Sequence, residues 1–308
     1  MKASICTLFE GRFHYGLGAL ANSLHASGFR GTLWAGYRGE LPFWATPLET
    51  TATYQQYTVA PECVIRFVRL GTDRHFTNYK PDFMLQLWER YDAEADVLFY
   101  IDPDIVVKCE WEFFGEWVRC GIALCEDVNS PVNPTHPLRM RWKSFFEPHG
   151  IHLNSALREY VNGGFIGLRK EHQFFLKQWQ RIQDIMEPAT NGMRGMNLGT
   201  RTFIFQKTDQ DALNIALYST EAPVSLIGRE SMDFAPGGYT LSHAVGSEKP
   251  WAKPFLLRAI GGKPPSAADK AYWRYVEQPI RLFSKPQRTW SRLNLQCAAA
   301  LGRFMRRS

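Results

Sequence analysis

A chain of 308 residues, 45% apolar and 14% aromatic, can bury a substantial core and has an ordinary globular composition. Six cysteines (Cys6, Cys63, Cys109, Cys120, Cys125 and Cys297) are scattered without Cys-x-x-Cys pairs, which argues against a zinc site or disulfide framework and for a reducing compartment. The formal charge of +6 sits at the end: residues 278–308 hold seven Arg and Lys and no acid, leaving 29 basic against 30 acidic groups before them. The main body therefore carries no compositional sign of nucleic-acid binding. The opening MKASICTLFE lacks the apolar stretch of a signal peptide, and no window reaches the roughly 18 apolar residues of a spanning helix, so a cytoplasmic protein is expected.

In chain order, ASICTLFE reads as a strand, YGLGALANSLHASG as a helix closed by Gly28, and GTLWAGY as the next strand. ECVIRFVRL is a further strand. KPDFMLQLWERYDAE is a helix with Pro81 in its first turn, leading into the buried strand VLFYI. GIALCED follows, then a Pro, His and Arg-rich loop region over 130–150, and VNGGFIGLRK reads as a turn into a strand. Two helices come next, EHQFFLKQWQRIQDIME and TDQDALNIALYS, the second with Thr208 as its N-cap; Gly192, Gly195 and Gly199 punctuate the loop between them. Alternating strands and helices predict an α/β fold with a mostly parallel central sheet flanked by helices and ligands at the carboxyl ends of its strands.

Asp102 and Asp104 sit at such an end, in VLFYIDPDIVV. Two unpaired carboxylates beside a buried strand are costly, and two apart they can surround one hard divalent cation that neutralises a diphosphate. Pro103 also suits a plain turn. A haloacid-dehalogenase-type phosphatase uses a similar pair, but near its N-terminus and followed by Gly-Thr or Gly-Val, where this chain has Ile105-Val106. A second stretch, SHAVGSEKPW, spells His-x-x-Gly-x-x-Lys-Pro-Trp through His243, Gly246, Lys249, Pro250 and Trp251. An imidazole from His243 can complete the shell begun by the aspartates, Gly246 lets backbone approach a phosphate, and Lys249 adds positive charge.

The two motifs together resemble those of family 8 glycosyltransferases, the retaining group that includes glycogenin and bacterial lipopolysaccharide galactosyltransferases. The resemblance implies a GT-A fold, a UDP-sugar donor, Mn²⁺ or Mg²⁺ held by Asp102, Asp104 and His243, and a glycan or lipid-linked acceptor. It places Asp209 and Gln210 of DQDALN at the anomeric carbon, with Lys249 completing the catalytic set. Asn162 and Gly163 of NGG would meet donor-sugar hydroxyls. Thr7 and Leu8 would touch the uracil, Tyr15 would stack on it, and Lys80, 22 residues before Asp102, is the candidate basic residue for the donor. Segments 35–75 and 128–160 match nothing in the pattern, which leaves the acceptor unread. The competing reading is a non-catalytic sugar-binding protein on a decayed scaffold, for which loss of a metal ligand or of Lys249 would be the sign; all four are present.

Residues 1–260 are expected to form the catalytic domain and 261–308 a basic amphipathic tail. On a helical wheel Trp290, Leu293, Cys297, Leu301, Phe304 and Met305 share one face, while Arg288, Arg292, Arg303, Arg306 and Arg307 gather opposite. Such a helix can lie on an anionic membrane, peripheral at its inner face, or pack its apolar stripe on the body.

Overall fold

The structure, a computed structural model, describes residues 1–195 and 204–305; Gly199, Arg306 and Arg307 lie outside the described residues, as do the side chains of Phe304 and Met305. The strands are β1 (Ala3–Glu10), β2 (Gly31–Arg38), β3 (Glu49–Thr50), β4 (Gln55–Ala60), β5 (Cys63–Arg69), β6 (Val97–Ile101), β7 (Ile105–Val107), β8 (Ile122–Glu126), β9 (Val161–Arg169), β10 (Val224–Ile227) and β11 (Leu241–His243). The helices are α1 (His14–Ala26), α2 (Lys80–Gln86), α3 (Glu112–Trp117), α4 (Pro137–Phe146), α5 (Gln173–Met186), α6 (Thr208–Tyr218), α7 (Phe255–Ile260), α8 (Ala267–Tyr272) and α9 (Lys285–Met305).

Nine strands form one sheet in the order β10-β8-β9-β6-β1-β2-β5-β4-β3. Seven run in one sense; only β9 and β4 are reversed. The predicted mostly parallel α/β sheet is therefore present. Side chains alternate across it: Ile5, Leu33 and Phe99 enter one core beneath α1, α3 and α8, while Cys6, Trp34 and Leu98 enter a second beneath α2, α4, α5 and α6. Burial on both faces explains why β6 reads as a continuous apolar run rather than an alternating one.

Three local readings change. The helix expected over 80–94 keeps α-geometry only to Gln86, and Leu87–Tyr91 is a π-turn. The 130–150 loop region contains α4: Pro137 occupies its first turn, and His136 caps it by accepting from the Leu138 N–H. Thr208 is the first residue of α6 rather than its cap, its hydroxyl lying 2.9 Å from Asn78 Oδ1.

Residues beyond 260 pack into the body. Asn22, buried on α1, donates to the carbonyls of Tyr275 and Ile280 and accepts from the Ile280 N–H, while Val276, Ile280 and Leu282 lie in the core. Helix α9 sits on α7 and Pro264 through Leu295, Ala298 and Gly302, where a Cβ on Gly302 would come within 2.4 Å of the proline ring. Arg288 and Arg292 turn inward to Glu277 at 2.8 and 3.3 Å. The face predicted to be apolar points the other way: Trp290, Leu293 and Leu301 are 65%, 50% and 39% exposed, and Cys297 is exposed beside them.

Candidate active site

Strand β6 ends at Ile101, and its buried run delivers Asp102 to the carboxyl edge of the sheet, where the Asp102 N–H donates to Gly164 O of β9 at 2.8 Å. The chain turns through Pro103, with the Ile105 N–H closing onto Asp102 O, and β7 then pairs antiparallel with β11. This small ribbon sets the geometry. Its register puts His243 opposite Ile105, and the Ala244 N–H donates to Asp104 O at 3.0 Å, so residues 140 positions apart share one corner. Close approach is allowed by two glycines. A Cβ on Gly164 would meet the His243 ring at 2.7 Å, and one on Gly16 of α1 would meet Pro103 O at 2.3 Å.

Asp102, Asp104 and His243 bring one donor atom each to within 4.8 Å of one another. Asp104 is buried, with Oδ1 3.3 Å from His243 Nε2 and Oδ2 2.5 Å from Lys249 Nζ. Burial pushes its carboxyl pKa up, but His243 and Lys249 outweigh that and hold it well below the usual carboxylate range. His243 Nδ1 is buried without a hydrogen-bond partner. Two carboxylates and one imidazole, its Nδ1 left without a partner, fit a borderline divalent cation, for which oxygen and nitrogen donors are both acceptable.

A second charge cluster adjoins the first. Lys80, fully buried at the start of α2, donates to Gly163 O at 2.7 Å and lies 3.2 Å from Asp102 and 3.4 Å from Asp209. Burial opposes its charge, yet the two carboxylates raise its pKa above the ordinary lysine value. The 22-residue gap to Asp102 is spanned by α2 and its π-turn, which fold Lys80 back against the end of β6. At the first turn of α6, Gln210 Oε1 accepts from the Gly163 N–H at 3.2 Å, and its Nε2 is buried without a partner. Asn162 Oδ1 accepts from the Gly164 N–H. Asp102, Asp104, Asn162, Gly163, Lys80, Asp209, Gln210, His243 and Lys249 thus converge on one corner, with Gly246 (φ +97°) in the exposed loop beside them.

The N-terminal candidates are placed differently. Thr7 and Leu8 are buried within β1, Leu8 in the second core and Thr7 Oγ1 without a hydrogen-bond partner. Tyr15 is half-buried and stacks flat on Phe283 at 5.0 Å, beside His14 and Phe43. Two site residues escaped the sequence reading. Asp127, buried just past β8, accepts from Asn162 Nδ2 at 2.7 Å, and Tyr100 donates to Asp102 Oδ1 at 2.8 Å. The signal for Asp127 was an acid after the apolar run IALCE, the same pattern that singled out Asp102.

No family model and no curated protein sequence matches the chain. Solved structures do. The apo structure of the bifunctional glycosyltransferase WbbM aligns with a TM-score of 0.54 at 14% identity, covering 96% of this chain and 52% of WbbM. The galactosyltransferase LgtC in complex with donor and acceptor sugar analogs aligns at 0.52 and 15% identity, covering 93% and 99%. An active-site mutant of LgtC aligns at 0.54 and 14%, covering 92% and 99%. The fold is that of the GT-A glycosyltransferases. This chain spans about half the length of WbbM and nearly all of LgtC.

Proposed function

We propose that the protein is a retaining, metal-dependent glycosyltransferase that moves a hexose from a UDP-sugar to a hydroxyl of a glycan or lipid-linked acceptor. The observation that carries this reading is the convergence of Asp102, Asp104 and His243 to within 4.8 Å, with Lys249 on the same carboxylate. Asp102, Asp104 and His243 would hold Mn²⁺ or Mg²⁺, which supplies positive charge against the diphosphate. Lys249, with three donors on a flexible stem, stabilises the departing β-phosphate as charge develops on it. Asn162, Gly163 and Asp127 line the sugar pocket, and Lys80 holds Asp102 and Asp209 in place. Thr7, Leu8 and Tyr15 mark the side taken by the uracil.

Retention follows from the family 8 resemblance. Gln210 is an amide and a poor nucleophile, and Asp209 is engaged by Lys80, so we favour a same-face route in which the leaving phosphate takes the acceptor proton. Glucose and galactose rank ahead of N-acetylated sugars on the same resemblance. The test is UDP release from a panel of UDP-sugars with Mn²⁺, followed by mass spectrometry of acceptor extracts. Release from at least one hexose donor is expected; none from any would overturn the reading.

Among the described residues no helix is long and apolar enough to cross a membrane. We propose that the protein instead rests on the inner face of an anionic membrane, through the outward face of α9 carrying Trp290, Leu293, Cys297 and Leu301. Burial of Leu295, Ala298 and Gly302 on the body leaves that face free to meet lipid, close to a lipid-linked acceptor.

A further inference from the structure

We propose that Lys249 and a divalent cation compete for the Asp104 carboxylate, so that metal is taken up tightly only when a diphosphate draws Lys249 away. The inference rests on the metal-and-diphosphate reading above and concerns what Lys249 does before nucleotide arrives. Its Nζ is 2.5 Å from Asp104 Oδ2 and 2.9 Å from Ala244 O, with the Phe13 ring 5.6 Å away. Two acceptors and a ring make that a largely buried seat for an ammonium. The other oxygen of Asp104 faces His243 Nε2, so both sides of the carboxylate are engaged by nitrogen from within the chain.

A carboxylate neutralised by an ammonium at contact distance is a poorer ligand for a second cation, because the new charge meets repulsion as well as attraction. Lys80 is already shared between Asp102 and Asp209. Asp104 is therefore the anion that must change partner. Lys249 is placed to let it: residues 245–248 before it are exposed, Gly246 is in the left-handed region with open space around it, and only Pro250 and Trp251 beyond are buried. A diphosphate offers Lys249 stronger acceptors than one shared carboxylate oxygen. By linkage, nucleotide then strengthens metal binding and metal strengthens nucleotide binding by the same factor.

The test is electron paramagnetic resonance titration of Mn²⁺ into the full-length protein, with and without UDP, following the free-ion signal. Without UDP, Lys249→Met should bind Mn²⁺ at least tenfold more tightly than wild type. Lys249→Gln, which keeps a donor but no charge, should do the same. UDP should tighten Mn²⁺ in wild type far more than in either variant. Arg258→Gln, which removes a nearby charge paired with Glu248 rather than Asp104, should change Mn²⁺ affinity less than threefold. Equal Mn²⁺ affinity in wild type and both Lys249 variants, or an equal gain in Arg258→Gln, overturns the competition while UDP-dependent Mn²⁺ binding by wild type leaves the function standing. No Mn²⁺ binding by wild type even with UDP overturns both.

Discussion

The charged corner and the outer face of α9 each reverse the usual placement of side chains. In the corner, Lys80, Asp104, Asp209 and His243 are buried and Asp102 and Lys249 partly so, yet each has an opposite or hydrogen-bonding partner within about 3.4 Å. On α9, Trp290, Leu293 and Leu301 are left in water with the seam of the helix buried behind them. Buried charge persists only where it is paired, and exposed apolar surface is tolerated wherever a face is needed for contact. The first inversion is compensated inside the molecule. The second has no such compensation among the described residues, and the membrane surface proposed for it would supply one.

Removing a charge from the corner should have the largest effect. Asp104→Asn should lower turnover by about two or more orders of magnitude, since a neutral amide is a weaker ligand for a hard cation. It also leaves Lys249 without its ion-pair partner, a change that costs about 3–5 kcal/mol for a fully buried pair and less here, where Lys249 keeps some solvent. Turnover of the folded variant at limiting Mn²⁺, checked beside its melting temperature, separates the two effects; near-normal turnover removes Asp104 from the metal site. Lys249→Ala should reduce kcat by roughly 10²-fold, a larger change than in KM, because its charge, drawn to the diphosphate on binding, matters most as the diphosphate leaves. A change confined to KM would make Lys249 a uniform binding contact.

The outer face calls for point changes rather than truncation, because α9 is packed on the body and its removal would uncover α7 and Pro264. Trp290→Ser with Leu293→Ser should weaken sedimentation with anionic vesicles roughly tenfold to a hundredfold, two large apolar groups being worth about 1.5–3 kcal/mol each when fully buried and less at an interface. UDP-sugar hydrolysis should stay unchanged. Vesicle binding equal to wild type would show that the face meets something other than lipid.

How much of this was legible beforehand differs between the two regions in the same way. Asp102 and Asp104 announce themselves because carboxylates at the end of an apolar run are costly and hence informative, whereas His243 and Lys249 are legible only through the His-x-x-Gly-x-x-Lys-Pro-Trp spacing and the resemblance it carries. The antiparallel pairing of β7 with β11 that unites them is a contact over more than 130 residues, beyond any local pattern. Asp127 was passed over although it ends IALCE as Asp102 ends VLFYI. For α9 the wheel gathers Trp290, Leu293, Cys297 and Leu301 on one face, but periodicity cannot tell which side meets the body. Small residues decide that: Ala298 and Gly302 let the helix approach Pro264, and Glu277 draws Arg288 and Arg292 inward. Likewise α4 was hidden by His136 and Pro137, which read as loop residues and act as a cap and a first turn.

The pH dependence of a second buried aspartate sharpens the rule that pairing, rather than burial, sets the charge of an interior carboxylate. Asp211 is as buried as Asp104 but has no cation beside it among the described residues. Its Oδ1 accepts from Tyr160 at 2.6 Å, and its Oδ2 accepts from the N–H groups of Gln206 and Lys207 at 2.7 and 3.0 Å. Burial raises its pKa to about 6 despite those three donors, with Asp209 nearby adding to the rise. The linkage then has opposite signs at the two aspartates. For Asp104, depressed in the fold, stability is present above the unfolded value near 3.9 and is lost as pH falls through the folded value. For Asp211, raised in the fold, stability is fully present below about 3.9 and is lost as pH climbs through about 6. Asp211→Asn cannot ionise. Its stability relative to wild type should therefore rise between pH 4 and pH 7, by up to roughly 3 kcal/mol if the whole shift is expressed. Urea unfolding of both proteins across that range measures the change, and any hydrogen bond lost to the amide enters only as a constant offset. A difference that does not vary with pH would mean that Asp211 ionises in the fold as easily as in the unfolded chain, its three donors then balancing burial without a cation.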